Sequence, residues 1–397
     1  MTKLRLPPWI LEIYGSVNKG RIAFRRFRKT IVLEVDPSPS YTRTTAQANV
    51  RDTFKQAVQA WNSLTDEEKE QYNREASKYN LTGYQYFISQ YMKEHLAPPT
   101  ELQPAVEVTI TEQSGQDLTD YQVLLVVNND SAFFDAVGTD PTKLEIRAED
   151  KTTLLDFYIE EWDTTNNNAK IWIKIPSIPA NGTVKAYIYS NPDRTESLSD
   201  PNQVFDFFDD FEGTELDTNK WATGRWAGTE SYSVVVNNGY VEIYSGSQTT
   251  AGIVSKQAFY LPFIIEGKWK YVSGNQIFTG ITHVSGGSDQ DWLRVMYDDA
   301  EEFRYQKREA GTITTYESIS RALPTTMTPF KWIITKTDAY YYENGEQVNT
   351  VTTQDRYSTE ALYIQLFTWD NGKAQWDMIR VRKYASPEPT VSYTILT

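Results

Sequence analysis

The sequence predicts a mainly β, multidomain chain. An extended basic N-terminal arm and a small three-helix module come first, followed by a β-sandwich and a larger jelly roll. Three observations carry this. Apolar and polar residues alternate with period two from about residue 101 onward, as in VEVTI (Val106 to Ile110) and KIWIKI (Lys170 to Ile175). In Phe330 to Val351, two β-rich runs flank Asn344-Gly345, the dipeptide that best fits a tight hairpin turn. Helical spacing is confined to residues 45–96.

The bulk numbers set the frame. A chain of 397 residues has room for about two to four domains. Aromatics make up 14%, with 26 Tyr and 11 Trp; these suit strands and surfaces that hold sugars or partner proteins. There is no cysteine, which excludes disulfides, thiolate metal sites and a Cys nucleophile. No apolar run reaches the roughly 18 residues a membrane helix needs. The start, MTKLRLPPWI, has no secretory-type apolar run, so the expectation is release with a particle rather than secretion.

Residues 1–44 read as an extended arm, since Pro7-Pro8 and Pro37-Ser-Pro39 oppose helix. The charge is uneven. The net is −14, yet residues 1–45 carry nine Lys/Arg against three Asp/Glu, a local +6 that leaves −20 on the rest. Arg21, Arg25, Arg26, Arg28 and Lys29 interleave with Phe24, Phe27 and Ile31. Such a pattern grips nucleic acid or an acidic protein surface. The acidic body disfavours nucleic acid, so an anchoring role is expected, with Trp61 of the following module included.

Residues 45–96 read as three helices. Val50, Phe54, Ala57, Val58 and Trp61 recur at helical spacing; Tyr72, Ala76 and Tyr79 follow, then Tyr84, Phe87, Ile88, Tyr91 and Met92. Thr65-Asp-Glu-Glu68 and Thr82-Gly-Tyr-Gln85 are capping boxes. The stretch Trp61 to Tyr79 resembles the second half of a high-mobility-group box. No first helix with its own basic face supports that comparison. With Thr44 to Gln47, Trp61, Leu64 to Glu67 and the preceding basic arm, the module also resembles one found near the start of phage and prophage structural proteins.

Ala97-Pro-Pro-Thr100 is a linker, and residues 101–200 read as a compact sandwich of about six strands. Leu118-Thr-Asp-Tyr-Gln122, Leu144 to Arg147, Ile171 to Pro176 and Val184 to Tyr189 resemble an uncharacterised β domain of archaeal and bacterial surface proteins. Residues 201–390 read as a jelly roll, and 391–397 as a C-terminal tail. Val204 to Trp221 and Trp376 to Tyr384 are similar to the first and last segments of concanavalin A-like lectin/glucanase sandwiches. That resemblance implies one structural Ca2+, held by Asp377 with backbone oxygens near Asp210 and Gly239. The alternative is that Asp377 caps a turn or pairs with Arg380 or Arg382.

Catalysis is not expected. Glycoside hydrolysis needs two suitably spaced carboxylates, and neither Asp298, Asp299, Glu301, Glu302 nor Asp206, Asp209, Asp210, Glu212 has the Glu-x-Asp-x-x-Glu spacing of laminarinase-like relatives. His95 and His283 lie in no nucleophile motif, and no phosphate loop or HExxH occurs. Exposed aromatics on the concave face of the jelly roll would bind sugar; the candidates are Trp292, Tyr297, Tyr305 and Trp369. Trp221, Trp269, Trp332 and Trp376 read as core. The resulting expectation is a non-enzymatic virion structural protein of the decoration, fibre, spike or turret type. Its arm and helices would anchor it to other capsid or tail proteins. Its sandwiches would face outward, as a homo-oligomer contacting host surface glycans. The alternatives are a cell-surface carbohydrate-binding adhesin and a laminarinase-like hydrolase.

Overall fold

The computed structural model describes residues 14–17, 20–27, 30–36, 45–95, 102–282, 292–298, 302–309, 312–352 and 361–396. The chain divides into two units, Met1–Glu101 and Leu102–Thr397.

The first unit contains an antiparallel sheet of β1 (Tyr14–Val17), β2 (Gly20–Phe27) and β3 (Thr30–Asp36). The segment expected as an extended arm is therefore partly sheet. Arg21, Arg25 and Arg26 lie on β2, whereas Arg28 and Lys29 lie outside the described residues. The helices are α1 (Thr45–Ser63), α2 (Asp66–Ala76) and α3 (Gly83–His95). Both capping boxes form. Glu68 accepts from the Thr65 N–H at 2.7 Å, and Gln85 accepts from the Thr82 N–H at 3.0 Å. Ala57, Phe87 and Ile88 form the small core. Trp61, expected to grip an assembly, is instead committed to that core, with Tyr72, Tyr84 and Phe87 packed round its ring at 5.5–6.2 Å. The α1 stripe outruns its partner helices, so Val50 and Phe54 stay exposed at 43% and 46%.

The second unit begins with β4 (Val106–Thr111), β5 (Leu118–Val127), α4 (Ser131–Val137), β6 (Leu144–Ala148), β7 (Phe157–Asp163), β8 (Asn168–Ile178) and β9 (Thr183–Ser190). Helix α4 has no counterpart in the sequence reading; Asp130 caps it by accepting from the Ala132 and Phe133 amides. A short α5 (Pro201–Val204) leads into β10 (Phe207–Asp209), β11 (Trp221–Ala227), β12 (Tyr232–Val236), β13 (Val241–Ser245) and β14 (Thr250–Ser255). Next come β15 (Phe263–Ser273), β16 (Gln276–Thr282), β17 (Trp292–Tyr297), β18 (Glu302–Glu309), β19 (Thr312–Ser320) and β20 (Thr328–Ile334). The chain closes with β21 (Asp338–Glu343), β22 (Glu346–Thr352), β23 (Tyr363–Trp369), β24 (Lys373–Lys383) and β25 (Thr390–Ile395).

These strands build two antiparallel sandwiches. The smaller one packs a β25-β4-β9-β6 sheet on a β5-β8-β7 sheet. The jelly roll packs a sheet ordered β12-β13-β24-β15-β20-β21-β22, with β10 added on β24, against one ordered β11-β14-β23-β16-β17-β18-β19. Trp221, Trp269, Trp332 and Trp376 are all buried in its core. Asn344 and Gly345 both take positive φ, 53° and 82°, the geometry of a two-residue hairpin that matches strand twist.

The expected tail is a correction. Residues 390–395 alternate as VEVTI does and pair with β4, Tyr393 opposite Val108 and Ile395 opposite Val106. Val391, Tyr393 and Ile395 pack on the small sandwich's core, and the Tyr393 hydroxyl donates to Asp130 at 2.6 Å. The jelly roll is thus inserted between β9 and β25.

A buried junction joins the two sandwiches. Trp172, Val204, Phe205 and Phe208 form its apolar centre. Above Trp172 lie the guanidiniums of Arg380 and Arg382, 4.8 and 5.1 Å from its ring centroid. Arg380 donates to Glu266 and Glu160 at 2.7 and 2.8 Å; Arg382 donates to Glu266 at 3.1 Å and to Glu388. Gln122 adds a bridge, donating to the Val204 carbonyl and accepting from the Lys383 amide. Among the described residues, no helix is long and apolar enough to cross a membrane.

Candidate functional site

Register decides which side chains share a face, because successive residues of a strand point to opposite sides. In the seven-stranded sheet, Ile277, Ile281, Ile364 and Leu366 face the core. The alternate positions therefore face outward: Phe278 opposite Phe367, Gly280 opposite Gln365, Thr282 opposite Tyr363, and Gln276 opposite Trp369. Strand β23, YIQLFTW, places Tyr363, Gln365, Phe367 and Trp369 on one side.

This outer face is layered. Phe278, Met296 and Phe367 are buried and form its floor, with Val254. Trp226 lies flat on Phe367, ring centroids 3.8 Å apart and planes 23° apart. Gly224 and Gly252 pair across β11 and β14; a Cβ on Gly252 would meet the Leu366 carbonyl oxygen at 2.1 Å and Phe367 at 2.6 Å, so Gly252 lets β14 lie close against β23. The Arg294 guanidinium sits 3.8 Å from the Phe278 ring centroid and donates to Gln306 at 3.2 Å. Gln365 donates to the Ile281 carbonyl at 3.2 Å. The half-exposed rim consists of Trp226, Arg294, Tyr363 and Trp369. Flat aromatic rings beside a guanidinium and amides suit polyhydroxylated rings, which offer an apolar face and hydroxyl edges. Among the described side chains of this face, the only carboxylate is Asp298, paired with Arg304 at 3.1 Å.

Of the expected sugar-binding residues, Trp369 lies on this face. Trp292 takes the outward register position opposite Thr282. Tyr305 is a correction: it pairs with the core residue Val295 and so takes an inward register position, off this face; both side chains lie outside the described set. Tyr297 is a correction. It is buried in the core and donates to Glu343, and burial, with the Glu343 charge, raises its phenol above the ordinary value. Positions five apart on a strand face opposite ways, so Trp292 and Tyr297 could not serve one surface. Trp226, Tyr363, Arg294 and Gln365 were missed, although the alternation of YIQLFTW signals two of them.

The expected metal residues meet at a corner of the eight-stranded sheet. Between Glu266/Arg380 and Lys268/Asp377 the register shifts, with Met378 in the left-handed region at φ 52°. This bulge reverses the phase of β24. Asp377 consequently shares the outer face with Arg380 and Arg382, although its odd number matches the core residues Ile379 and Val381. It pairs with neither arginine. Its partner is Lys268, at 3.8 Å. Burial raises Asp377 to about 6; Lys268 opposes this, while Asp210 and Glu212 add to it. The Gly239 amide donates to the Phe211 carbonyl at 3.0 Å, which brings the 237–240 turn against the segment after β10. Gly239 has φ 102°, and a Cβ there would stand 3.4 Å from Glu212 Oε1. Excess negative charge among hard oxygen donors fits a cation such as Ca2+. Among the described residues no three His, Asp or Glu side chains converge to hold a metal.

A family model described as a domain of unknown function (DUF2341) matches residues 140–224. The matched stretch runs from just before β6 into β11 and so crosses the junction. No curated protein matches the chain. Among solved structures, an endo-β-1,3-glucanase from Pyrococcus furiosus is 13% identical, covering 49% of this chain and 95% of its own, with a TM-score of 0.37. A carbohydrate-binding module from Bacillus subtilis is 13% identical over 42% of this chain and 98% of its own, TM-score 0.34. A Bacillus licheniformis β-glucanase is 14% identical over 45% and 98%, TM-score 0.35. At these scores the likeness carries nothing about ligand or activity.

Proposed function

We propose that this chain is a non-enzymatic structural protein of a virion whose sandwich body binds glycans through the outer face of the seven-stranded sheet. The observation that carries the glycan reading is the rim of Trp226, Tyr363, Trp369 and Arg294 over a buried aromatic floor. Gln365 on β23 and Gln306 on β18 add amide groups to that face. The basic segment, the helical module and their resemblance to phage structural proteins support attachment to a particle, with copies related by symmetry. A single Ca2+ at Asp377 belongs to the same reading and would tie the start of the jelly roll to its last strand.

Titration of the full chain with neutral β-glucan oligosaccharides tests the binding face. Trp226→Ala and Trp369→Ala are each expected to weaken binding by roughly 0.5–1.5 kcal/mol, the usual worth of a ring contact. New reducing ends released from a β-glucan would establish the hydrolase instead. Mass spectrometry of purified particles tests the virion assignment, and absence of the chain from them would end it.

A further inference from the structure

A groove runs along the junction, on the side of the jelly roll opposite the aromatic rim. It has one lobe of about 240 Å³ and one of about 410 Å³, and both are lined by Glu266, Lys331 and Arg380. Pro329, Phe330 and Tyr342 form the apolar wall of the smaller lobe, and Glu160 of the small sandwich closes it. The larger lobe continues past Trp172 and Arg382 to Glu388.

The charges in this groove are not evenly satisfied. Glu160 accepts from both Trp172 and Arg380, while Glu266 accepts from both Arg380 and Arg382. Glu388 is taken by Arg382. The carboxylates and guanidiniums thus saturate one another. Lys331 is left over. Its ammonium lies 4.4 Å from the centroid of the Tyr342 ring, and among the described residues no carboxylate pairs with it. It stands where the two lobes meet.

We propose that this groove is a second carbohydrate site, taking a sugar residue that bears a carboxylate. Lys331 supplies the counter-charge. Tyr342 and Pro329 supply an apolar wall for one ring face. Trp172 and Arg380 both donate to one oxygen of Glu160, which leaves its other oxygen to accept from a sugar hydroxyl. A phosphate or sulfate fits less well, because two carboxylates in the wall would repel a compact, multiply charged anion. The smaller lobe falls below the roughly 300 Å³ of a drug-sized pocket, so it holds one ring, with the next residue in the larger lobe. The site draws on both sandwiches, so neither domain would carry it alone.

The inference rests on the glycan-binding reading of the body, and its test separates the two. The full chain is titrated calorimetrically with a glucuronic acid disaccharide, the matching neutral disaccharide and inorganic phosphate. The acidic sugar is expected to bind, and Lys331→Met, which keeps the aliphatic stem, to weaken it about tenfold or more, as for loss of a charge-assisted contact. Tyr342→Ala should weaken it as well. Trp369→Ala should leave it unchanged while reducing neutral-glucan binding. A melting curve of Lys331→Met matching that of the parent shows that the fold is intact; if that variant melts early, Lys331→Gln replaces it. A loss of neutral-disaccharide binding in Lys331→Met as large as that of the acidic sugar, stronger binding of phosphate, or indifference to both Lys331 substitutions would overturn the site and leave the aromatic rim standing.

Discussion

Glu266 and Asp377 lie on the same outer face of adjacent strands, one register step apart, and both are largely withdrawn from water. Their side chains keep 13% and 18% of their exposure. Their proton affinities shift in opposite directions. Burial would raise Glu266, but the Arg382 and Arg380 guanidiniums outweigh it and hold the carboxyl at about 2. Burial raises Asp377 to about 6; Asp210 and Glu212 push the same way, and Lys268 at 3.8 Å, the one cation paired with it among the described residues, opposes them only in part. Loss of solvent alone therefore does not set the charge state; the partner does. One carboxylate is finished by the chain itself, and the other is left with room for a cation from outside.

The largest effect should come from breaking the finished side. Arg380→Met strips Glu266 and Glu160 of a shared partner within the junction, and removal of one member of a buried pair costs about 3–5 kcal/mol. Urea denaturation of the full chain checks this; a loss under about 1 kcal/mol would mean the network behaves like a surface ion pair.

The pH dependence distinguishes the two carboxylates by sign. Glu266 has a folded value below its unfolded one, so its contribution is present above about 4.5 and is lost as pH falls toward 2. The amount is on the order of 3 kcal/mol. Glu266→Gln should flatten the acid limb of the stability curve. Asp377 has a folded value above its unfolded one, so the folded state holds the extra proton between about 4 and 6. Stability from this group is lost as pH rises through that window, by on the order of 2–3 kcal/mol in chelator. Asp377→Asn should remove that slope, and Ca2+ should remove it in the parent. Denaturation at about pH 2, 4 and 7, with and without chelator, reads both limbs: the Glu266 loss lies below 4.5 and the Asp377 loss between 4 and 6.

The smallest effect sharpens the contrast. Lys268→Ala removes the one cation beside Asp377. At 3.8 Å with a 40% exposed lysine, it should cost under about 1 kcal/mol at pH 7. It should also move the Asp377 titration upward, which NMR of its carboxyl would follow.

Much of the fold was legible because period-two alternation survives wherever one side of a strand meets a core. The strands around Val106 to Ile110 and Lys170 to Ile175, and the Asn344-Gly345 hairpin, are read that way. Strands β11 and β14 were not, because Gly224 and Gly252 occupy the outward positions that a pattern search expects to be polar. The need for Gly252, which lets β14 lie close on the Leu366 carbonyl, exists only once β23 is beside it. Helix α4 is too short for periodicity to reveal. In the site, Trp369 was legible from composition, whereas Tyr297 was misassigned because strand parity was not applied across β17. The outward turn of Asp377 depends on a bulge at Met378, and nothing in the local residues announces an inserted position. The partners of Arg380 and Arg382 come from three separate parts of the chain, so spacing alone could not pair them.

The route of β25 bears on how load crosses the molecule. The polypeptide passes from the small sandwich into the jelly roll after β9 and returns after β24, so two strands of covalent chain span the seam side by side. A single tether would let the outer module swivel like a flail. Here a pull or twist on that module is divided between two crossings and resisted by the Trp172 stack between them. Whatever holds the small sandwich therefore sets the bearing of the jelly roll as well, and cutting the chain near residue 200 to isolate either half would unship β25 and leave β4 with a bare edge.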